Sequence, residues 1–182
     1  VDASKLVEVP RAVQALPDPA ACADIAMLGS GVTPPAATIA PRAEQLARRL
    51  AQTRVQLAAG RVADARKAAA STVAETRKLG YKPLLVEALL VEGHAAMKPA
   101  LRAAVPILAE AQDLALSTNA DALAIEAWAR RAFARGTSTD PNGALDGLDV
   151  MAALAKRATA GAFSRALLYN NVGGVELARD HR

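Results

Sequence analysis

Apolar residues recur every three or four positions along much of this chain, which is the spacing of one face of an α-helix. Leu46, Leu50 and Leu57 follow this spacing, and a face of that kind is what a helix buries against its neighbours. We find no sustained alternation of apolar and polar residues, which a half-buried strand would show. The pattern therefore predicts an all-α protein.

Glycine or asparagine follows several of these helical stretches at similar intervals. Gly60, Gly80, Asn119 and Gly161 occupy these positions, and both residue types tolerate the left-handed backbone conformation that ends many helices. The sequence therefore predicts helical hairpins over residues 41–80, 81–120 and 121–161, and a half hairpin over 162–182.

The third hairpin departs from the other two in its turn. Residues 136–143 are rich in glycine, serine, threonine and proline, which favours a long turn. We expect the second helix of this hairpin to begin near Ala144.

Residues 1–40 are predicted to precede this array as a separate segment. A short helix is expected over residues 4–16, where Leu6, Val9, Val13 and Leu16 have helical spacing. Residues 29–35 then contain the glycine and proline typical of a linker.

The second and third hairpins share a short self-repeat. Residues 84–89 (LLVEAL) reappear as residues 123–128 (LAIEAW), so that Glu87 and Glu126 lie 39 positions apart. A fixed period in this range indicates stacked helical hairpins, and such arrays commonly serve as binding surfaces.

Pairs of a large residue and a small residue four positions later accompany this period. They are Leu89 with Gly93, Trp128 with Ala132, and Tyr169 with Gly173. Small residues also stand early in each second helix, at Ala65, Ala104 and Ala144.

This register resembles that of tetratricopeptide repeats, in a longer variant of about 40 residues. The resemblance covers residues 42–182 and implies an α-solenoid, a right-handed superhelix of hairpins. It implies that Leu89, Trp128 and Tyr169 are core residues. The first repeat departs from the pattern, because Arg54 stands where a small residue is expected.

A second resemblance concerns the run before the array. Residues 15–24 (ALPDPAACAD), the proline-containing gap after them and Gly60-Arg61 resemble the region that follows the kinase domain in bacterial multidomain serine/threonine kinases. That resemblance implies a regulatory region of a larger signalling protein. The chain contains no Gly-rich nucleotide loop, His-Arg-Asp or Asp-Phe-Gly, so any kinase activity would lie outside it.

In tetratricopeptide arrays the first helices line a concave groove that receives a peptide or partner segment. The resemblance implies groove positions at Arg48, Glu87, Leu90, His94, Met97, Glu126, Phe133, Asn170 and Asn171. Asn171 is comparable to an Asn with which some peptide-binding members grip a carboxylate, but no matching Lys is evident.

Met97 and Phe133 admit two interpretations. As large apolar residues on the groove they would be covered by a partner. A register shifted by one position would instead place both of them in the core.

Charge supports a second hypothesis, a transcriptional regulator segment that contacts nucleic acid. The formal net charge is +4 and the sequence pI is about 9.6, and arginine pairs occur at Arg48-Arg49 and Arg130-Arg131. Neighbouring helix residues point about 100° apart, so neither pair forms a one-sided basic stripe. We therefore expect a protein or peptide partner, and no nucleic acid, as the first hypothesis.

A third hypothesis, a small helical hydrolase or transferase, finds no catalytic set. The chain has one cysteine, Cys22, and two histidines, His94 and His181, with no metal-ligand spacing or catalytic motif among them. We therefore expect no enzyme activity in this chain, no catalytic residues, no metal site and no cofactor. The single cysteine and the lack of a signal peptide or membrane span favour a cytoplasmic location.

The half hairpin raises one further expectation. Its helix lacks a partner in this sequence, so its apolar face should either pair with another copy of the chain or fray.

Overall fold

The computed structural model describes residues 32–157 and 160–180, together with Pro10 and Val13. The expected N-terminal helix, apart from those two residues, lies outside the described part, as do Cys22 and His181.

Regular structure in the described residues between 32 and 180 is entirely helical, which confirms the all-α prediction. The helices are α1 (Ala40–Ala58), α2 (Val62–Leu79), α3 (Lys82–Met97), α4 (Leu101–Ser117), α5 (Asp121–Ser138), α6 (Leu148–Ala155) and α7 (Ala162–Asp180), with a 3-10 helix at Gly143–Leu145.

The predicted helix terminators adopt the left-handed conformation. Gly80 follows α2 with a φ of 74°, and Asn119, two residues after α4, has a φ of 57°. The Gly80 amide donates to the carbonyl oxygens of Thr76 and Arg77, which satisfies two acceptors that the helix end would leave open. Gly60 and Gly161 have similar φ values of 75° and 70°. The predicted helix ends are confirmed at Gly60, Gly80 and Asn119, but the one at Gly161 is wrong, because α6 already ends at Ala155 and Gly161 directly precedes α7.

Each helix from α1 to α5 packs against the next one, and the odd-numbered helices also contact one another in order. Leu50, Leu89 and Leu108 belong to one apolar cluster that spans α1 to α5. A second cluster surrounds Trp128 and Leu168, where α5, α6 and α7 meet. The odd-numbered helices therefore lie side by side, which places residues from all four of them on a common surface.

Small residues set how closely these helices approach. A Cβ atom on Gly93 of α3 would lie 2.5 Å from Cδ2 of Leu108 on α4, which is closer than two carbon atoms can pack. At Gly93 the contacting helix belongs to the same hairpin.

The turn of the third hairpin begins later than predicted, because α5 continues through Ser138. Gly136 therefore lies within α5, where an added Cβ would come within 2.7 Å of Cγ1 of Val175 on α7. A glycine that resembles a turn residue in the sequence instead allows two helices to pack closely.

The second helix of this hairpin begins later than the predicted Ala144, because a folded loop precedes it. Asp140 accepts a hydrogen bond from the Gly143 amide at 2.9 Å and forms an ion pair with Arg135. Gly147 then adopts a φ of 85°, and α6 starts only at Leu148. The loop therefore replaces the first turns of the expected helix.

Of the two aromatic residues expected in the core, only one is buried. Trp128 is 1% exposed, and its indole Nε1 donates a hydrogen bond to the carbonyl oxygen of Asp146 at 3.1 Å. Tyr169 is 59% exposed, so that prediction is wrong. Its neighbour Leu168 faces α5 and is fully buried, and the next position on a helix points about 100° away.

Among the described residues, no helix combines the length and the apolar character needed to cross a membrane.

Candidate functional site: a groove across the odd-numbered helices

A groove of about 740 Å³ crosses α1, α3 and α5 and reaches the first turn of α7. Each of the three central helices presents to it residues one helical turn apart, such as Leu90 and His94 on α3. The lining residues are Arg54, Leu57, Ala58, Gly60, Val62, Leu90, Val91, His94, Lys98, Leu123, Glu126, Arg130 and Phe163.

The floor of the groove is apolar. Leu57, Leu90 and Val91 are almost fully buried beneath it, and they belong to the clusters that hold the helices together. At the α7 end, Phe163 projects into solvent with 62% of its surface exposed. The groove therefore offers rigid apolar contacts along its base and one large exposed ring at its end.

Two ion pairs lie at the edge of the groove. Arg54 of α1 contacts Glu87 of α3, with 3.1 Å between Nη2 and Oε2. Within α5, Arg130 contacts Glu126, with 2.8 Å between Nη2 and Oε1. The first pair connects neighbouring hairpins, and the second fixes the Arg130 side chain, which is largely buried.

Positive charge exceeds negative charge along the lining. Three cationic side chains (Arg54, Lys98 and Arg130) stand against one carboxylate, Glu126. Lys98, which immediately follows α3, has no ion pair with any residue in the described part of the chain. A carboxylate brought into the groove would therefore find its cation partner at Lys98.

His94 lies between these charges and is neutral at physiological pH. The pKa of His94 is lowered to about 3, mainly by burial and in addition by the nearby cations Arg130 and Lys98. A neutral imidazole can donate one hydrogen bond and accept another. His94 thus supplies a polar, uncharged contact in the middle of the groove.

Of the residues proposed from the sequence, three line this groove and one borders it. Leu90, His94 and Glu126 are lining residues, and Glu87 lies beside them through its pair with Arg54. The sequence places these positions on the first helices of the predicted hairpins, and those helices lie side by side in the structure.

The other proposed residues lie elsewhere. Arg48 is exposed on α1, where it pairs with Glu44 beside a separate depression. Met97 packs against the core cluster of α1 to α5. Phe133 lies under α7, where a Cβ on Gly174 would come within 3.0 Å of its ring. Of the two interpretations of Met97 and Phe133, the structure therefore has the one in which both pack internally.

The two asparagines of α7 also lie away from the groove. Asn171 is buried and donates a hydrogen bond from Nδ2 to the carbonyl oxygen of Ala129, at 3.1 Å. This bond attaches α7 to α5, so the Asn171 side chain has a structural partner. Asn170 is exposed, and its Nδ2 donates to Oδ1 of Asn171.

Ten of the thirteen lining residues were not proposed from the sequence, among them Arg54, Lys98, Arg130 and Phe163. Arg54 had a signal, because it interrupts the repeat pattern where a small residue is expected. In the structure this long side chain reaches across to α3. The sequence presents Arg130 only as a member of the Arg130-Arg131 pair, whereas its side chain is largely buried in the structure.

No group of three or more His, Cys, Asp or Glu side chains that could hold a metal ion occurs within the described ranges. No protein-family model, no curated protein and no solved structure matches this chain. The geometry of the groove is therefore what supports a proposal about function.

Proposed function

We propose that this chain is a protein-interaction module whose groove holds a segment of a partner protein. We further propose that its hairpins form a tetratricopeptide-type α-solenoid with this groove on the concave side. The proposal rests on one observation: α1, α3 and α5 jointly line one groove with an apolar floor, and beside that floor stands Lys98, a cation that has no ion pair with any described residue.

The lining chemistry favours a segment with an apolar side chain and a nearby carboxylate. The partner's apolar side chain would be buried against Leu57, Leu90 and Val91, at about 25 cal/mol for each Å² of its own apolar surface removed from water. The carboxylate would pair with Lys98 and could accept a hydrogen bond from His94. Since Arg54 and Arg130 already have carboxylate partners, Lys98 is the principal charge contact.

A nucleic-acid ligand is the less favoured alternative. Of the arginine pairs that motivated it, Arg49 contacts Glu75 at 2.6 Å and Arg130 contacts Glu126. Each of these carboxylates would repel a phosphate that approached its arginine. DNA binding that falls steeply with added salt would be required for this alternative, and failure to bind duplex DNA at low salt would exclude it.

A regulatory role beside a kinase domain remains a prediction from the sequence. Residues 15–24, which motivate it, lie outside the described part of the chain. A binding module of this kind could serve such a role by recruiting a substrate or a regulator.

The test is a selection of 12-residue peptides from a random displayed library on the full chain. We expect selected peptides to combine Leu, Ile or Phe with Asp or Glu. Lys98→Glu should weaken their binding at least tenfold, because it replaces attraction by repulsion. Lys156→Glu, an exposed site just after α6, is the matched control and should leave affinity unchanged.

Two results would refute the proposal. One is a set of selected peptides that bind the Lys98→Glu and Lys156→Glu variants equally well. The other is a library that yields no peptide whose binding depends on any groove residue.

A further inference from the structure

A short extended segment lies at the end of the array where α1, α3 and α5 begin. Residues 32–36, here called the strap, precede the turn that leads into α1. Pro34 and Pro35 make the strap stiff, because the proline ring fixes φ at about −65°. The three helices at this end are the ones that line most of the groove.

The strap is joined rigidly to α1. The carbonyl oxygen of Ala36 accepts hydrogen bonds from the amides of Ile39 and Ala40, both at 3.0 Å. Ile39 is the N-cap residue of α1 and Ala40 is its first residue. A movement of the strap is therefore passed directly to the start of α1.

Two anchors hold the strap on the rest of the array. Tyr81 is the N-cap residue of α3, and its hydroxyl donates a hydrogen bond to the carbonyl oxygen of Thr33 at 2.9 Å. Val32 is partly buried and packs against the apolar cluster that spans α1 to α5. The strap thus has one polar and one apolar attachment.

The strap also lies beside the loop that leads into α5. A depression of about 400 Å³ is lined jointly by the strap, by the start of α3 and by Ser117, Thr118 and Asn119. Helix α5 begins two residues later, at Asp121. Hairpins of a stacked array contact mainly their neighbours, so the strap adds a connection between the first hairpin and the third.

We propose that the strap holds α1, α3 and α5 in fixed relative positions and thereby sets the width of the groove. This inference rests on the proposed function, because the width matters only to a segment that occupies the groove. With the strap docked, the groove is preorganised, and a ligand does not have to order the hairpins when it binds. With the strap released, the hairpins shift relative to one another and the groove binds more weakly.

A double variant of the full chain, Val32→Asp with Tyr81→Phe, removes both anchors. Its affinity for peptides selected for Lys98-dependent binding should fall about three- to tenfold, because binding must then also order the hairpins. Neither substituted residue lines the groove, so direct contact with the peptide does not explain such a loss. The matched control, Val150→Asp with Tyr169→Phe, changes exposed residues of α6 and α7 and should leave the affinity unchanged.

Leu154→Ala separates release of the strap from a general loss of stability. Leu154 is buried on α6 and lines neither the groove nor the depression beside the strap. This variant should unfold at lower urea concentration, yet bind the peptides with wild-type affinity at a temperature where circular dichroism shows it to be folded. An affinity loss equal to that of the strap variant would overturn the proposal.

A distance measurement tests the strap without any peptide. Cys22 is the only native cysteine, so a Cys22→Ser background allows spin labels at Arg61→Cys, after α1, and Thr139→Cys, after α5. These labels report the position of the first hairpin relative to the third. The distance distribution should be narrow with the native strap and broader in the Val32→Asp/Tyr81→Phe variant, and an equally narrow distribution in that variant would overturn the proposal.

The two proposals fail separately. If no selected peptide depends on Lys98, the proposed function is refuted, and the distance measurement still decides whether the strap positions the hairpins. If such peptides bind the strap variant as tightly as the wild type, the role of the strap is refuted and the proposed function stands.

Discussion

Replacing glycine by alanine should change the free energy of unfolding in opposite directions at Gly93 and Gly173, which occupy the same position in the repeat register. Gly93 of α3 and Gly173 of α7 both lie inside helices, where alanine is favoured over glycine by about 1 kcal/mol. An added Cβ at Gly93 would lie 2.5 Å from Cδ2 and 2.7 Å from Cγ of Leu108. At Gly173 the same methyl group would meet nothing within 4 Å.

The size of the change in free energy depends on whether Leu108 can move away from an added methyl group. Its side chain is fully buried, so it cannot swing into solvent to make room, and overpacking of this kind costs about 1–3 kcal/mol. Gly173→Ala should therefore stabilise the protein by about 0.5–1 kcal/mol, as expected for a strain-free Gly-to-Ala change. Gly93→Ala should be less stable than Gly173→Ala by about 1–3 kcal/mol, since the helix-propensity gain is common to both.

Urea unfolding followed by circular dichroism measures both variants against the wild type. If Gly93→Ala were as stable as Gly173→Ala, Leu108 would have space to move, and the close packing of α3 against α4 would be refuted.

Three further outcomes are expected. Burial lowers the pKa of His94 to about 3 from an ordinary 6.5, so protonation favours the unfolded chain. As pH falls from 7.5 to 5, the free energy of unfolding of the wild type should therefore fall by about 2 kcal/mol more than that of His94→Gln. Urea titrations in which both proteins lose the same free energy between the two pH values would contradict this. Trp128→Phe should cost about 1–3 kcal/mol in thermal unfolding, because the smaller ring leaves space at a fully buried position and the hydrogen bond to the carbonyl oxygen of Asp146 is lost; an unchanged melting temperature would show that neither contributes. Asn119→Ala should destabilise and Asn119→Gly should not, because only glycine adopts a φ of 57° without steric cost; the reverse order in urea unfolding would contradict the left-handed turn.

The groove was only partly predictable. The repeat register identified Leu90, His94 and Glu126 because equivalent positions of stacked helices face the same way. It could not identify Phe163, whose place at the groove end depends on how α7 packs on α5. Nor could it predict that the Asn171 side chain donates a hydrogen bond to the carbonyl oxygen of Ala129, since that contact joins residues far apart in the sequence.

The sequence by itself determined that the chain is helical and where several of its helices end. Helical periodicity and left-handed residues such as Gly80 and Asn119 act through the local backbone, so their effect is visible without a fold. Only the tertiary structure decided which face of α7 is buried, that α6 begins late, and that Gly136 is a packing contact instead of a turn. These outcomes depend on contacts such as Val175 with Gly136, which exist only once distant helices have come together.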